Sequence, residues 1–194
     1  KMMVSALNSG IAACIPALNY RTDELFREAI QEIRDNTNST GLGINLIVNK
    51  SNIKMQQQLK TCVELGVDFI ITSLGSPKQV IEACKPIGIK VFCDVVEEKY
   101  AKKVEKLGAD AVIAVNCNAG GHAGKLTPEE IIPLLNKHCS IPVISAGGVG
   151  TKGGIDNIMN LGAAGISIGS PFIACEEAHI SNEYKQACVD YGKE

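Results

Sequence analysis

Residues 97–115, EEKYAKKVEKLGADAVIAV, contain the unit that decides the fold: a charged helical stretch, a glycine and a short apolar strand. Gly108 stands where a helix is expected to end, because glycine tolerates the positive φ of a helix C-terminal cap. The same Leu-Gly junction recurs at residues 65–66 and 161–162, each time before an apolar run. The chain therefore repeats a helix–strand unit, which is typical of a parallel sheet.

Short β-branched runs alternate with helical patterns along the whole chain. Strands are predicted near residues 11–16, 42–48, 68–73, 89–95, 110–115, 141–146 and 164–169. Helices are predicted near residues 22–35, 52–65, 77–86, 97–107, 127–137 and 153–161, and the chain begins inside a further helical stretch, MMVSALNSG. A barrel and a doubly wound open sheet are the two candidate architectures. We favour an α/β fold of one domain over residues 1–194, a (β/α)8 TIM barrel whose first strand is missing from this chain.

The composition fits a single domain, and the charge and the apolar runs exclude some classes of function. Of 194 residues, 45% are hydrophobic and 21% are charged, and the net charge is -2 without a basic run. A nucleic-acid partner is therefore not expected. No apolar run approaches the ~18 residues of a membrane span and no signal peptide opens the chain, so we expect a cytoplasmic protein without a membrane partner. The eight cysteines form no C-x-x-C pair and lie mostly in apolar runs, which indicates reduced core residues and no metal site.

Two glycine turns follow the last two predicted strands, at Gly147-Gly148 and at Gly169-Ser170. In a barrel these are the turns after strands seven and eight, where backbone N–H groups and a helix N-terminus bind phosphate. A Cβ at these glycines would keep the phosphate oxygens away, so a phosphate site is predicted; tight turns alone are the alternative. The overlapping G-x-G-x-x-G at residues 148–153 is not read as a dinucleotide motif, because the next strand does not end in an acidic residue.

The segment NCNAGGHAG at residues 116–124 follows a predicted strand and holds the best catalytic candidate. His122 is flanked by glycines and is expected to make few packing contacts. It lies at the carboxyl end of the strands, where barrels place their active sites. It is predicted to transfer protons, with a loop histidine that caps a carbonyl as the alternative. Asn45 and Asp94 stand at the ends of earlier strands; the Asn45 amide would bond a planar heterocycle or serve only as a turn residue.

Four segments, GINL, LGADAVIAVNCNAGGHAG, PVISAGGV and LGAAGISIGSPFIACEEA, resemble the nitronate monooxygenase (2-nitropropane dioxygenase) family in order and spacing over essentially the whole chain. That family is related to flavin-dependent enoyl-acyl-carrier-protein reductases. The resemblance implies non-covalent FMN, with its phosphate on the two glycine turns and its isoalloxazine near Asn45, Asp94 and the Gly120-Gly121 backbone. It also implies that His122 removes the α-proton of a nitroalkane, while the flavin carries the redox chemistry with O₂.

The resemblance thus implies an FMN-dependent oxidoreductase that acts on alkyl nitronates or nitroalkanes. An enoyl-acyl-carrier-protein reductase that uses FMN and NAD(P)H is the alternative enzyme, suggested by GKLT at residues 124–127, and a non-catalytic phosphate-ligand barrel is the alternative from another class. A small-molecule substrate is expected, and the sequence leaves open whether the chain forms a homodimer. Asn118 stands where many family members have Glu and Asp94 where some have Lys; the family's first strand and its C-terminal segment have no counterpart in this chain.

Overall fold

Seven parallel strands form one sheet in the computed structural model, which describes residues 1–191. They are β1 (Ala13–Pro16), β2 (Leu42–Ile47), β3 (Phe69–Ser73), β4 (Lys90–Val95), β5 (Ala111–Val115), β6 (Val143–Ala146) and β7 (Gly165–Ser167). The strands lie side by side in chain order, without the reversal of order that defines a doubly wound sheet. This is the order of a (β/α)8 barrel with one of its eight strands missing, as predicted.

Among the described residues, six helices connect consecutive strands, one precedes the first strand and one follows the last. They are α1 (Met2–Asn8), α2 (Asp23–Asp35), α3 (Met55–Glu64), α4 (Lys78–Cys84), α5 (Glu98–Leu107), α6 (Pro128–His138), α7 (Lys152–Asn160) and α8 (Asn182–Tyr191). The sequence pattern missed α8, because none of its residues is buried and it therefore has no continuous apolar face. Within the described residues, no helix has both the length and the apolar character needed to cross a membrane.

The three Leu-Gly junctions end helices as predicted. Gly66, Gly108 and Gly162 have φ of 60°, 99° and 93°. The N–H of the residue after each glycine bonds to the carbonyl five residues earlier, which is the longer hydrogen bond of a Schellman cap; the pairs are Val67 with Cys62, Ala109 with Val104 and Ala163 with Ile158. The repeated junction is therefore one repeated helix stop, and it turns the chain into the next strand each time.

The core lies between the sheet and its helices, and the barrel interior is filled only at one end. Outward-facing residues of β2, such as Leu42, Ile44 and Leu46, are completely buried against helices. Inside the barrel, the rings of Phe69 and Phe92 stack with centroids 5.2 Å apart near the start of their strands. The interior is thus closed at the amino ends of the strands, and its open space lies at their carboxyl ends.

Candidate active site

A cavity of about 1310 Å³ opens at the carboxyl ends of the strands. Such a volume exceeds the roughly 300–1,000 Å³ of an ordinary small-molecule site. Aliphatic side chains form much of its wall, among them Ile47, Ile71, Ile113, Val115 and Ala146. The structure brings every predicted site residue to this one cavity: Asn45, Asp94, Gly120, Gly121, His122, Gly147, Gly148, Gly169 and Ser170.

His122 lies on an exposed loop between β5 and α6. Its imidazole makes no hydrogen bond to any other group in residues 1–191, so the alternative in which it caps a carbonyl has no support in this part of the chain. Gly121, next to it, has φ of 78°, a conformation that favours glycine. The loop closes at its base, where the Cys117 N–H donates to the Leu126 carbonyl at 2.9 Å. The histidine is therefore held on a closed loop with its ring free for a ligand.

Asn116 lies behind the cavity wall and contacts two segments of the site, a role that the sequence analysis missed. It follows β5 directly, and its side chain is completely buried. Its Nδ2 donates to the Gly147 carbonyl at 3.1 Å, and its Oδ1 accepts the Asn118 N–H at 2.8 Å. The only signal in the sequence is a polar residue placed directly after an apolar strand, and that pattern equally describes an ordinary turn.

The glycine pair at residues 147–148 is also required for a reason that the sequence did not indicate. Both residues have positive φ, 120° for Gly147 and 73° for Gly148. A Cβ on Gly147 would come 2.6 Å from the Ala119 nitrogen, and one on Gly148 would come 2.7 Å from the Asn118 Cβ. These two glycines therefore make room for the His122 loop, whatever ligand the turn binds.

Gly169 presents the opposite situation. Its φ is not positive, and a Cβ built on it would meet no protein atom within 4 Å. Gly169 also lines the cavity, so its backbone is open to a ligand there. Ser170 begins a short 3₁₀ helix, Ser170–Ala174, and its hydroxyl lies close to Gly120 of the His122 loop.

Three polar side chains form a chain of hydrogen bonds across β2, β3 and β4. Asn45 Nδ2 donates to Ser73 Oγ at 2.8 Å, and Ser73 Oγ donates to Asp94 Oδ2 at 2.5 Å. The sequence analysis placed Asn45 at the end of its strand, with a turn residue as one alternative. In the structure Asn45 lies inside β2, two residues before its end, so it is not a turn residue. Burial raises the pKa of the Asp94 carboxyl, and the Ser73 hydrogen bond partly opposes that rise.

The cysteines are free thiols, and most of them are shielded from solvent. Cys62, Cys84 and Cys93 are buried, four others are half-buried, and Cys117 is exposed on the His122 loop. Burial raises the pKa of the Cys14 thiol to about 12 and that of Cys93 to about 11. Thiols with such raised pKa values are poor nucleophiles at neutral pH.

The fold and the cavity define a barrel protein of the (β/α)8 class with its ligand site at the carboxyl ends of the strands. The model of one family, nitronate monooxygenase, matches residues 10–193, and the chain belongs to that family. It is 33% identical to the nitronate monooxygenase of Pseudomonas aeruginosa over 120 residues, 57% of this chain and 34% of the relative. It is 34% identical to a probable nitronate monooxygenase of Staphylococcus saprophyticus over 152 residues, 70% of this chain and 43% of the relative.

Solved structures agree with the family. FabK from Thermotoga maritima superposes with a TM-score of 0.88 and 30% identity, over 95% of this chain and 58% of FabK. The chain thus spans between a third and three fifths of the length of these three relatives.

Proposed function

We propose that this chain carries the phosphate-binding turns and the proton-transferring histidine of an FMN-dependent oxidoreductase that acts on nitroalkanes and their nitronates. The observation that carries the proposal is the convergence of His122 and both glycine turns on one cavity. Membership of the nitronate monooxygenase family and the size of the cavity, which exceeds that of a single small ligand, support it.

The residues present fit FMN. Gly169 offers open space at the cavity wall, and the adjoining turn at Gly147-Gly148 exposes backbone at the start of α7. N–H groups at such a turn and at a helix N-terminus bind phosphate well. The aliphatic wall suits a flat apolar ring system, and Asn45 and Asp94 supply polar groups on the opposite strands. When bound, FMN would supply the electron transfer between substrate and O₂.

His122 would act as the general base. Its unpartnered ring would accept the acidic α-proton of a neutral nitroalkane, and the glycines beside it would let the substrate carbon approach. A positioned base of this kind contributes about 10²–10⁴ in rate. The nitronate, which has already lost that proton, would need the same cavity but not the base.

Gly169 gives the sharpest test of the phosphate position. Gly169→Asp places a carboxylate in open space at the cavity wall and should repel a phosphate dianion, whereas Gly169→Ala adds only a methyl group. We expect the Asp variant to lose at least about 10-fold in FMN affinity, measured by the change in FMN fluorescence on binding, and the Ala variant to lose far less. Equal affinity of both variants and the unsubstituted protein would place the phosphate elsewhere. Gly148→Asp is unsuitable, because it would strain the backbone and strike Asn118 without any ligand.

A second candidate is a flavin-dependent enoyl-acyl-carrier-protein reductase. The observation that favours it is the 30% identity to FabK over 95% of this chain. Mixing the FMN-loaded protein with NADH or NADPH in the absence of O₂ separates the two candidates. Rapid bleaching of the flavin absorbance supports the reductase, whereas bleaching by a nitronate alone supports the nitronate oxidation.

A further inference from the structure

Five hydrogen bonds converge on Asn116, the buried residue after β5. Two involve its side-chain amide, to the Gly147 carbonyl and from the Asn118 N–H. The amide orientation follows from these partners, because a carbonyl only accepts and a backbone N–H only donates. One planar group therefore joins the turn after β6 to the loop after β5.

The backbone of Asn116 makes the other three bonds. Its N–H donates to the Ala146 carbonyl at 3.0 Å, and its carbonyl accepts the N–H groups of Ala119 and Gly124, each at 3.2 Å. Ala119 and Gly124 lie on either side of His122 in the chain. Asn116 thus anchors the loop on both sides of the histidine while it holds the glycine turn.

The turn after β6 and the loop that carries His122 also pack directly against each other. A Cβ on Gly147 would come too close to Asn116 Oδ1 and to the Ala119 nitrogen, and one on Gly148 too close to Asn118 Cβ. A Cβ on Gly120 would come 2.9 Å from Ser170 Oγ, so the loop touches the second turn as well. A shift of either turn would therefore displace the loop that carries His122.

We propose that Asn116 is a positioning residue that couples the phosphate-binding turn to the His122 loop, so that a phosphate bound at the turn also fixes the histidine. This inference rests on the proposed function. Coupling between two sites is reciprocal in binding free energy, so a change at Asn116 should weaken phosphate binding and disturb His122 together.

The nearly isosteric and uncharged substitution Asn116→Leu tests the coupling. Leucine has neither the donor for the Gly147 carbonyl nor the acceptor for the Asn118 N–H, so both side-chain bonds are lost and no charge is added near the phosphate. Loss of a buried hydrogen bond should raise the Kd for FMN about 10-fold. At saturating FMN, kcat on a neutral nitroalkane should fall by about the same factor, while kcat on its nitronate changes little, because only the first needs the base.

Asn136→Leu is the matched control. Asn136 Nδ2 donates to the Gly162 carbonyl at 2.9 Å, a bond of the same kind outside the cavity. It should leave FMN affinity and both activities unchanged. An Asn116 variant with unchanged FMN affinity, or with equal loss on both substrate forms, would refute the coupling. If the unsubstituted protein itself binds FMN no better than riboflavin, the proposed phosphate site is wrong instead.

Hydrogen exchange on the unsubstituted protein decides the matter even if the variant does not fold. FMN should slow amide exchange both at residues 147–150 and in the loop at residues 117–124, and riboflavin, which lacks the phosphate, should protect the loop less. Protection by FMN confined to residues 147–150 would show that the turn and the loop respond independently.

Discussion

At the scale of single residues, His122 is the side chain whose removal should affect chemistry and leave the fold intact. Its ring is exposed and makes no hydrogen bond within residues 1–191, so His122→Asn should not change the melting temperature. Turnover of a neutral nitroalkane by the FMN-loaded protein should fall by about 10²–10⁴, and that of the nitronate far less. His179→Asn, at an exposed histidine away from the cavity, is the control and should behave like the unsubstituted protein. Equal losses on both substrate forms would mean that His122 orients substrate and moves no proton.

Asp94 should make stability depend on pH. Its folded-state pKa is raised, chiefly by burial, so the folded protein retains the proton to a higher pH than the unfolded chain. The stability linked to this group is therefore greatest below the usual carboxyl pKa and falls as pH rises through the raised value. Asn cannot ionise and can still accept from Ser73, so Asp94→Asn should gain stability relative to the unsubstituted protein as pH rises above the usual carboxyl pKa, measured by urea unfolding. A pH-independent difference would contradict the burial of a charged carboxylate.

The candidate site residues could be found from the sequence because each lies near the carboxyl end of an apolar strand or in the loop that follows it. Parallel strands in a barrel bring their carboxyl ends together, so His122, Asp94 and the glycine turns meet without further information. Asn116 could not be found, because its role depends on which turn lies across from it. The second requirement for glycine at residues 147–148 could not be found for the same reason: the loop that packs on them follows a different strand.

At the scale of elements, the helix stops offer a matched pair of glycine substitutions. Gly66 ends its helix with φ of 60°, and a Cβ there would meet no atom within 4 Å, so Gly66→Ala introduces backbone strain alone. It should reduce the free energy of unfolding by about 1–2 kcal/mol. Gly153 lies within α7 without positive φ and also has open space, so Gly153→Ala should increase stability by roughly 0.5–1 kcal/mol. Urea unfolding of both variants measures the difference, and changes of the same sign would contradict the cap assignment.

The sequence predicted the helices and strands well, apart from α8. Most strands bury at least one face, and most helices bury an apolar stripe, so the hydrophobic period agrees with the glycines that end the elements. In α8, exposed Tyr184 and Val189 leave the pattern without a buried side to detect. A helix with so few buried side chains is stabilised by its local backbone hydrogen bonds, and its sequence shows no hydrophobic pattern that would predict it.

At the scale of the whole molecule, ligand binding should stabilise the entire sheet, because the cavity is lined from β2 through to β7. A ligand that binds only the folded state stabilises it by about 2.7 kcal/mol at 100 times its Kd, which for a chain of this size raises the melting temperature by roughly 5–10 °C. We expect FMN to give such a shift, riboflavin at the same concentration a smaller one because it lacks the phosphate, and Gly169→Asp to abolish the difference between the two. Scanning calorimetry with and without each ligand measures these shifts. Equal shifts from FMN and riboflavin in the unsubstituted protein would mean that the cavity holds the ring system without using the glycine turns, and the phosphate position would then have to be abandoned while the family assignment remained.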